Sequence, residues 1–379
     1  MRISLYCLLF FYPFYIASVY DFCYNLVIMK KYICIILAVI MAAACCSCSG
    51  DLKTNKKQRY QSGFLDLFDT YSNIIAYDTS EKAFDEHYEQ FYNKLAEYDK
   101  LYNIYNSYDN IVNLCTLNTQ AKDGPVKVDS RIIDLLEYCR YVYELSNGLT
   151  NVCYGSVLSI WHDYRQQGTD NPEAASLPDM NELKKASQHT DFENLVIDKE
   201  NSTVYFKDPQ LKLDVGAIAK GYAVREISKW AKENLWTSAA ISIGGNICTF
   251  GFKNDDGKTL WNIGIENPDL SKEDYLVNVK ITDLSVVTSG DYQRYYTVDG
   301  KKYCHIINPE TLMPSEYVAS VSVICDDSAL GDALSTTLFN MPIDEGKKLI
   351  ESMNNVEAVW VDKEYNKHFS TGFENYIEK

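Results

Sequence analysis

The chain has 379 residues, 36 of them Lys or Arg against 52 Asp or Glu, for a formal net charge of −16. That balance excludes a general nucleic-acid binder, which needs a basic face. The composition, 46% hydrophobic and 23% charged, is globular rather than disordered. An anionic small ligand fits such a chain only where positive charge, backbone N–H groups or a metal ion is concentrated locally.

Of the twelve cysteines, Cys7, Cys23, Cys34, Cys45, Cys46 and Cys48 crowd the N-terminus. The others, Cys115, Cys139, Cys153, Cys248, Cys304 and Cys325, form no C-x2-C pair, which argues against a zinc site built on clustered thiols. Met29-Lys30-Lys31, the apolar run that follows and Ala42-Ala43-Ala44 are the three parts of a secretory signal over 29–44. With Cys45 next, the stretch resembles a bacterial lipoprotein signal. It implies lipidation at Cys45, a membrane anchor and an extracytoplasmic location. Residues 1–28 are a start-site artefact or a further apolar leader. Residues 45–64 are the lipidated end and a polar tether, and 65–379 form a single domain.

In chain order, helices are expected over 81–101 and 129–146 from apolar residues at three- and four-residue spacing, the second stopped near Gly148. Short β-type runs follow at 203–206, 239–243, 261–265, 275–281, 285–288, 294–298, 318–324 and 356–361. Helices fall between them near 217–235, 329–340 and 344–353. Turn signals at Asp255-Asp256-Gly257 and Asp299-Gly300 support hairpins. The fold class is therefore α+β, with an antiparallel or mixed sheet and flanking helices.

Four stretches carry chemistry. Leu213-Asp214-Val215-Gly216-Ala217-Ile218-Ala219-Lys220 runs from a strand end into a helix. It offers an anion the helix N–H groups and the Lys220 charge, with Asp214 as an acceptor. A plain junction with a capping Asp and a surface Lys is the alternative. Ser242-Ile243-Gly244-Gly245-Asn246 ends a strand in a double glycine, which either exposes main-chain N–H groups or is simply a tight turn. His305 closes a β-type run before Asn308-Pro309, as a general base on a hydroxyl or as a structural histidine. On a helix, Asp332 and Thr336 share a face at i, i+4 with Ser335 beside them. Their oxygens suit a hard cation such as Mg²⁺, or form a polar helix face. There is no GxGxxG, and the glycine a P-loop needs before Gly257-Lys258-Thr259 is Phe252.

Taken in order, LDVGAIAKGYA, SIGGN, the Trp261–Pro268 stretch, TSGDYQRYY, HIINPET and DALSTT, with Gly148–Gly155 and Trp161 upstream, resemble the ApbE family of FAD:protein FMN transferases. The resemblance implies an extracytoplasmic enzyme that splits FAD and joins FMN through its phosphate to a Thr or Ser of a target protein. It implies Mg²⁺ dependence and release of AMP. The implied partner is a flavin-carrying subunit of a membrane redox complex or a related electron-transfer domain. By position, Asp332, Thr336 and the Ala217 carbonyl fall on the metal site. Asp214, Lys220, Leu149, Thr150, Asn151 and Ile307 fall on FAD-contacting positions, and His305 on the base. Ser335 stands where some members have a further acidic ligand. Cys304, Asn308, Leu312 (for Gly) and Leu149-Thr150-Asn151 (for Ala-Phe-Asp) depart from the usual pattern. FAD pyrophosphatase activity and a non-catalytic flavin carrier are the rival readings.

Overall fold

A computed structural model describes residues 56–378; the leader, Cys45 and most of the expected tether lie outside the described residues. The chain starts with β1 (Gln58–Phe64), β2 (Ser72–Asp78), α1 (Glu81–Tyr102), α2 (Leu114–Gln120), β3 (Val126–Lys127), α3 (Ser130–Leu145), α4 (Gly155–Asp170) and α5 (Met180–Ala186). It continues with β4 (Leu195–Asp198), β5 (Thr203–Phe206), α6 (Ala219–Asn234), β6 (Ala239–Ile243), β7 (Asn246–Phe250), β8 (Trp261–Glu266), β9 (Tyr275–Ile281) and β10 (Ser285–Gly290). It ends with β11 (Tyr295–Val298), β12 (Lys301–Cys304), β13 (Ser320–Cys325), α7 (Ser328–Phe339), α8 (Ile343–Glu351), β14 (Glu357–Val361) and β15 (Lys367–Phe369).

Eight strands form one sheet in the order β1-β2-β6-β7-β10-β13-β14-β15. Every neighbouring pair in it is antiparallel. The period-2 alternation of side chains splits its residues between two cores. Ile74 and Ala76 of β2 join the main core with residues of α1, α3 and α6, while Tyr77 turns to the other face. On that face β8 and β9 cover the sheet with Trp261, Ile263 and Val279. β13 is buried along its whole length, as a central strand covered on both faces must be.

Two expectations change. The domain starts at β1, earlier than residue 65, because Gln58–Phe64 pairs with Ser72–Asp78. This is an edge strand with mostly exposed side chains, so its polar sequence reads as a tether. The second change is α4, which no periodicity argument proposed. It packs against the β11–β12 hairpin, where a Cβ on Gly168 would lie 2.6 Å from Cδ2 of Tyr296. Trp161 Nε1–H also donates to the Leu312 carbonyl at 2.9 Å.

Candidate active site

One cavity gathers the residues expected for catalysis, FAD and metal: Leu149, Thr150, Asn151, Asp214, Ala217, Lys220, His305, Ile307, Asp332 and Thr336. They come from four separate parts of the chain, so the fold is what makes them neighbours.

The first wall is the junction of α6 and α7. Gly221 allows it, because a Cβ there would lie 2.4 Å from both Asp332 Cβ and the Ser328 carbonyl oxygen. The Gly221 N–H instead donates to Asp332 Oδ2 at 2.8 Å. This narrows the expectation that the start of α6 offers unpaired N–H groups, because those of Ile218, Ala219 and Gly221 are taken. The Val215 carbonyl accepts from Ile218 and Ala219 at 3.0 and 2.8 Å, and a carboxylate of the protein itself occupies the positive helix end. Asp332 is only 5% exposed. Burial pushes its carboxyl above the usual range, against Lys220, the Gly221 N–H and the Asn246 amide.

The loop before α6 is fixed from a distance. Asn118 of α2 clamps Leu213, accepting from its N–H at 2.7 Å and donating to its carbonyl at 2.9 Å. Asp214 Oδ1 accepts from the Gly216 N–H at 2.9 Å, which closes a turn ahead of α6; the expected capping role is not met, since the helix is capped at Ile218 with no side-chain bond. Burial raises the Asp214 carboxyl too, opposed by that N–H and by Arg165, His162 and Lys220. Lys220 Nζ reaches the Gly216 carbonyl at 3.2 Å. The double glycine is a tight turn, with positive φ at both Gly244 and Gly245. It places Gly244 and Asn246 in the cavity lining.

In Leu149-Thr150-Asn151 the polar side chains are already used. Thr150 Oγ1 pairs with Thr337 Oγ1 at 2.7 Å, and Asn151 donates to the Thr190 carbonyl at 2.8 Å. What this segment offers a ligand is main chain and the Leu149 side chain. Ser335, whose role the sequence left open, is fully buried. It is bonded to the Ser289 hydroxyl at 2.7 Å and the Asp332 carbonyl at 2.9 Å.

The second wall is the β11–β12 hairpin with α4. The Arg294 carbonyl accepts from both the backbone N–H and Nδ1 of His305, at 3.0 and 3.2 Å. A carbonyl only accepts, so Nδ1 carries the proton and Nε2 keeps its lone pair. Burial, then Arg165, Arg294 and Lys220, push the imidazolium down to about 3. Ile307 packs at 5% exposure beside Trp161 and Leu312. Leu312 adopts φ 61, the left-handed conformation, at the place where the resemblance expects Gly. The sequence reading missed His162 and Arg165 of α4 and the stacked Tyr105, with ring centroids 5.0 Å apart for Tyr105 and His162. All three line the cavity. The available signal was the helical spacing of Val157, Trp161 and Arg165.

A metal would find oxygen donors only: the Asp332 carboxylate, the Thr336 hydroxyl and main chain. Beside them Asn246 Oδ1 is buried without a partner. Among the described residues no three His, Cys, Asp or Glu side chains group into a metal cage. An open oxygen site of this kind fits Mg²⁺, which keeps waters and takes one or two carboxylates plus substrate phosphate.

The fold is that of one class of protein. Residues 68–360 match the ApbE family, and the chain belongs to it. It is 33% identical over 260 residues to the FAD:protein FMN transferase of Treponema pallidum, covering 65% of this chain and 70% of that protein. It is 27% identical over 337 residues to the FAD:protein FMN transferase of Haemophilus influenzae, covering 86% of this chain and 92% of that one. The crystal structure of the ApbE protein from Thermotoga maritima superposes with a TM-score of 0.72 at 27% identity, over 85% of this chain and all of that one.

Proposed function

We propose that the protein is a FAD:protein FMN transferase that moves FMN from FAD to a Thr or Ser hydroxyl of a target protein and releases AMP. The observation that carries this reading is the meeting of Asp214, Lys220, His305, Asp332 and Thr336 in one cavity. The names of the relatives support it.

In this mechanism Lys220 holds the diphosphate in an otherwise acidic protein. His305 Nε2 takes the proton from the acceptor hydroxyl. The freed oxygen bonds to the phosphorus of the FMN half. The bond from that phosphorus to the bridging oxygen breaks, and AMP leaves with the electron pair. Asp332, Thr336 and the Ala217 carbonyl are the groups that would hold Mg²⁺. When bound, that ion offsets phosphate charge as a Lewis acid. The diphosphate also weakens the cationic field on His305, so the base strengthens when substrate arrives.

The test is the protein with FAD, Mg²⁺ and a Thr-bearing acceptor domain, read by intact mass and by chromatography of the nucleotides. A covalent FMN adduct with equimolar AMP is expected. Asp332→Ala should fall below about 1% of the wild-type rate. AMP and free FMN without an adduct would replace transfer by hydrolysis. We also propose that the chain is lipid-anchored through Cys45 on the outer side of a bacterial membrane, to a flavin-carrying redox partner. The signal over 29–44 supports this. Absence of labelled fatty acid from the protein, or its retention in Cys45→Ser, would reject that anchor.

A further inference from the structure

Two cations of the cavity have no role in the account above. Arg165 donates from Nη2 to His162 Nδ1 at 3.1 Å, one helical turn away on α4. Arg294 donates from Nη2 to the Asp69 carbonyl at 3.2 Å. Neither has a carboxylate partner among the described residues, whereas Arg131 and Arg225 each have two. Burial and the nearby Arg294 both act to lower the Arg165 pKa. Like charges brought together in a half-buried wall cost free energy unless an anion comes between them.

The position of Arg165 is built, not incidental. Trp161, one turn earlier, is tied to the Leu312 carbonyl. Gly168, one turn later, lies flat against Tyr296, and Tyr296 in turn donates to the Ser176 carbonyl at 3.1 Å. Contacts on both sides of Arg165 therefore lock α4 to the β11–β12 hairpin and to the loop after it that begins with His305. His162 must accept through Nδ1 to hold the guanidinium, and it stacks on Tyr105. A guanidinium held at one nitrogen keeps its other N–H groups free in a planar fork, the geometry that matches phosphate oxygens.

We propose that Arg165, held by His162 and paired with Arg294, is a diphosphate-binding residue on the hairpin side of the cavity. It supplies positive charge independently of the α6–α7 wall. This rests on the flavin-transfer reading, and the test separates the two. Dissociation constants for FAD and for riboflavin, which has no phosphate, are measured by flavin fluorescence on the wild type, Arg165→Met and Arg165→Lys.

FAD affinity should fall about 10- to 100-fold in Arg165→Met. Riboflavin affinity should hold within twofold, and Arg165→Lys should lie between wild type and Arg165→Met for FAD. In the ligand-free protein, the His305 ring followed by NMR should titrate at higher pH in Arg165→Met than in wild type, with Arg165→Lys close to wild type because the charge is kept. An unchanged FAD affinity overturns the proposal, as does an equal loss for riboflavin. Should Arg165→Met not fold, Arg165→Lys matching wild type for FAD overturns it alone. A wild type that binds neither flavin overturns the flavin reading, and this proposal with it.

Discussion

The two walls of the cavity solve opposite problems. The α6–α7 wall is tightly packed and internally balanced. Asp332 is buried, accepts from the Gly221 N–H and sits in the field of Lys220. The hairpin–α4 wall is rich in cations and aromatic rings, and its arginines lean on a carbonyl and an imidazole rather than on carboxylates. In the proposed reaction one wall would take a cation to complete its oxygen set and the other an anion to relieve its charge. A substrate that brings phosphate and Mg²⁺ together would satisfy both, and neither wall by itself would define the site.

The largest effect that would break this contrast falls on His305. His305→Gln should lower kcat about 10²- to 10⁴-fold with FAD affinity within a few-fold of wild type. An affinity loss of the same size would make the histidine a binding group. Burial and the cationic wall together set its pH behaviour. In the free protein the imidazolium is held down to about 3, so kcat/KM should show no acid limb from His305 above about pH 5. The limb in kcat should lie at higher pH, because bound diphosphate offsets the cations.

The same group leaves a mark on stability. Its folded value lies below its ordinary value of about 6.5, so the folded state resists protonation. The contribution is fully present above about pH 6.5 and is lost as pH falls toward 3. Wild type should therefore lose stability relative to His305→Gln as pH falls below about 6.5, and a pH-independent difference between the two would contradict the half-buried cationic environment.

A middle-sized effect tests the packed wall. Gly221→Ala puts a methyl group 2.4 Å from Asp332 Cβ and the Ser328 carbonyl oxygen. One of these is backbone, so α6 and α7 must separate. Overpacking of this kind costs about 1–3 kcal/mol. The melting temperature should drop, and metal dependence should shift to higher Mg²⁺ because Asp332 moves with α7. The α4 wall should be untouched, with FAD-to-riboflavin discrimination at Arg165 unchanged.

The difference between the walls also explains what could be read in advance. Asp332 and Thr336 were legible because a single helix sets their spacing and an apolar stripe marks its buried side. The Asp299-Gly300 hairpin was legible because both residues take the positive φ that its turn demands, 49° and 79°. The α4 wall was not. His162 and Arg165 gain meaning only when Trp161 and Gly168 dock α4 on a hairpin far along the chain. Nor can local pattern show that Asn118 clamps Leu213, or that the Asp332 carboxylate already fills the start of α6. The polar edge strand β1 was hidden because edge strands need not carry an apolar alternation.

The smallest effect concerns Leu312, where this chain departs from the family's glycine. Its φ of 61° costs a non-glycine residue about 1–2 kcal/mol. Its side chain is 7% exposed in the cluster with Trp161 and Ile307, and burying a leucine stabilises by about 1.5–3 kcal/mol. The two terms nearly offset, so the leucine persists by virtue of packing. Truncation separates them. Leu312→Ala loses the packing and keeps most of the strain, whereas Leu312→Gly loses the packing and the strain together. In most positions glycine is the less stable of the two by about 0.5–1 kcal/mol. Here that order should invert, with Leu312→Gly unfolding at equal or higher denaturant than Leu312→Ala. The Trp161 bond to the residue 312 carbonyl is main chain, so α4 should stay docked and FAD affinity should hold within a few-fold in both. If the alanine variant is clearly the more stable, the left-handed backbone at 312 is not what this site uses, and the docking of α4 needs another explanation.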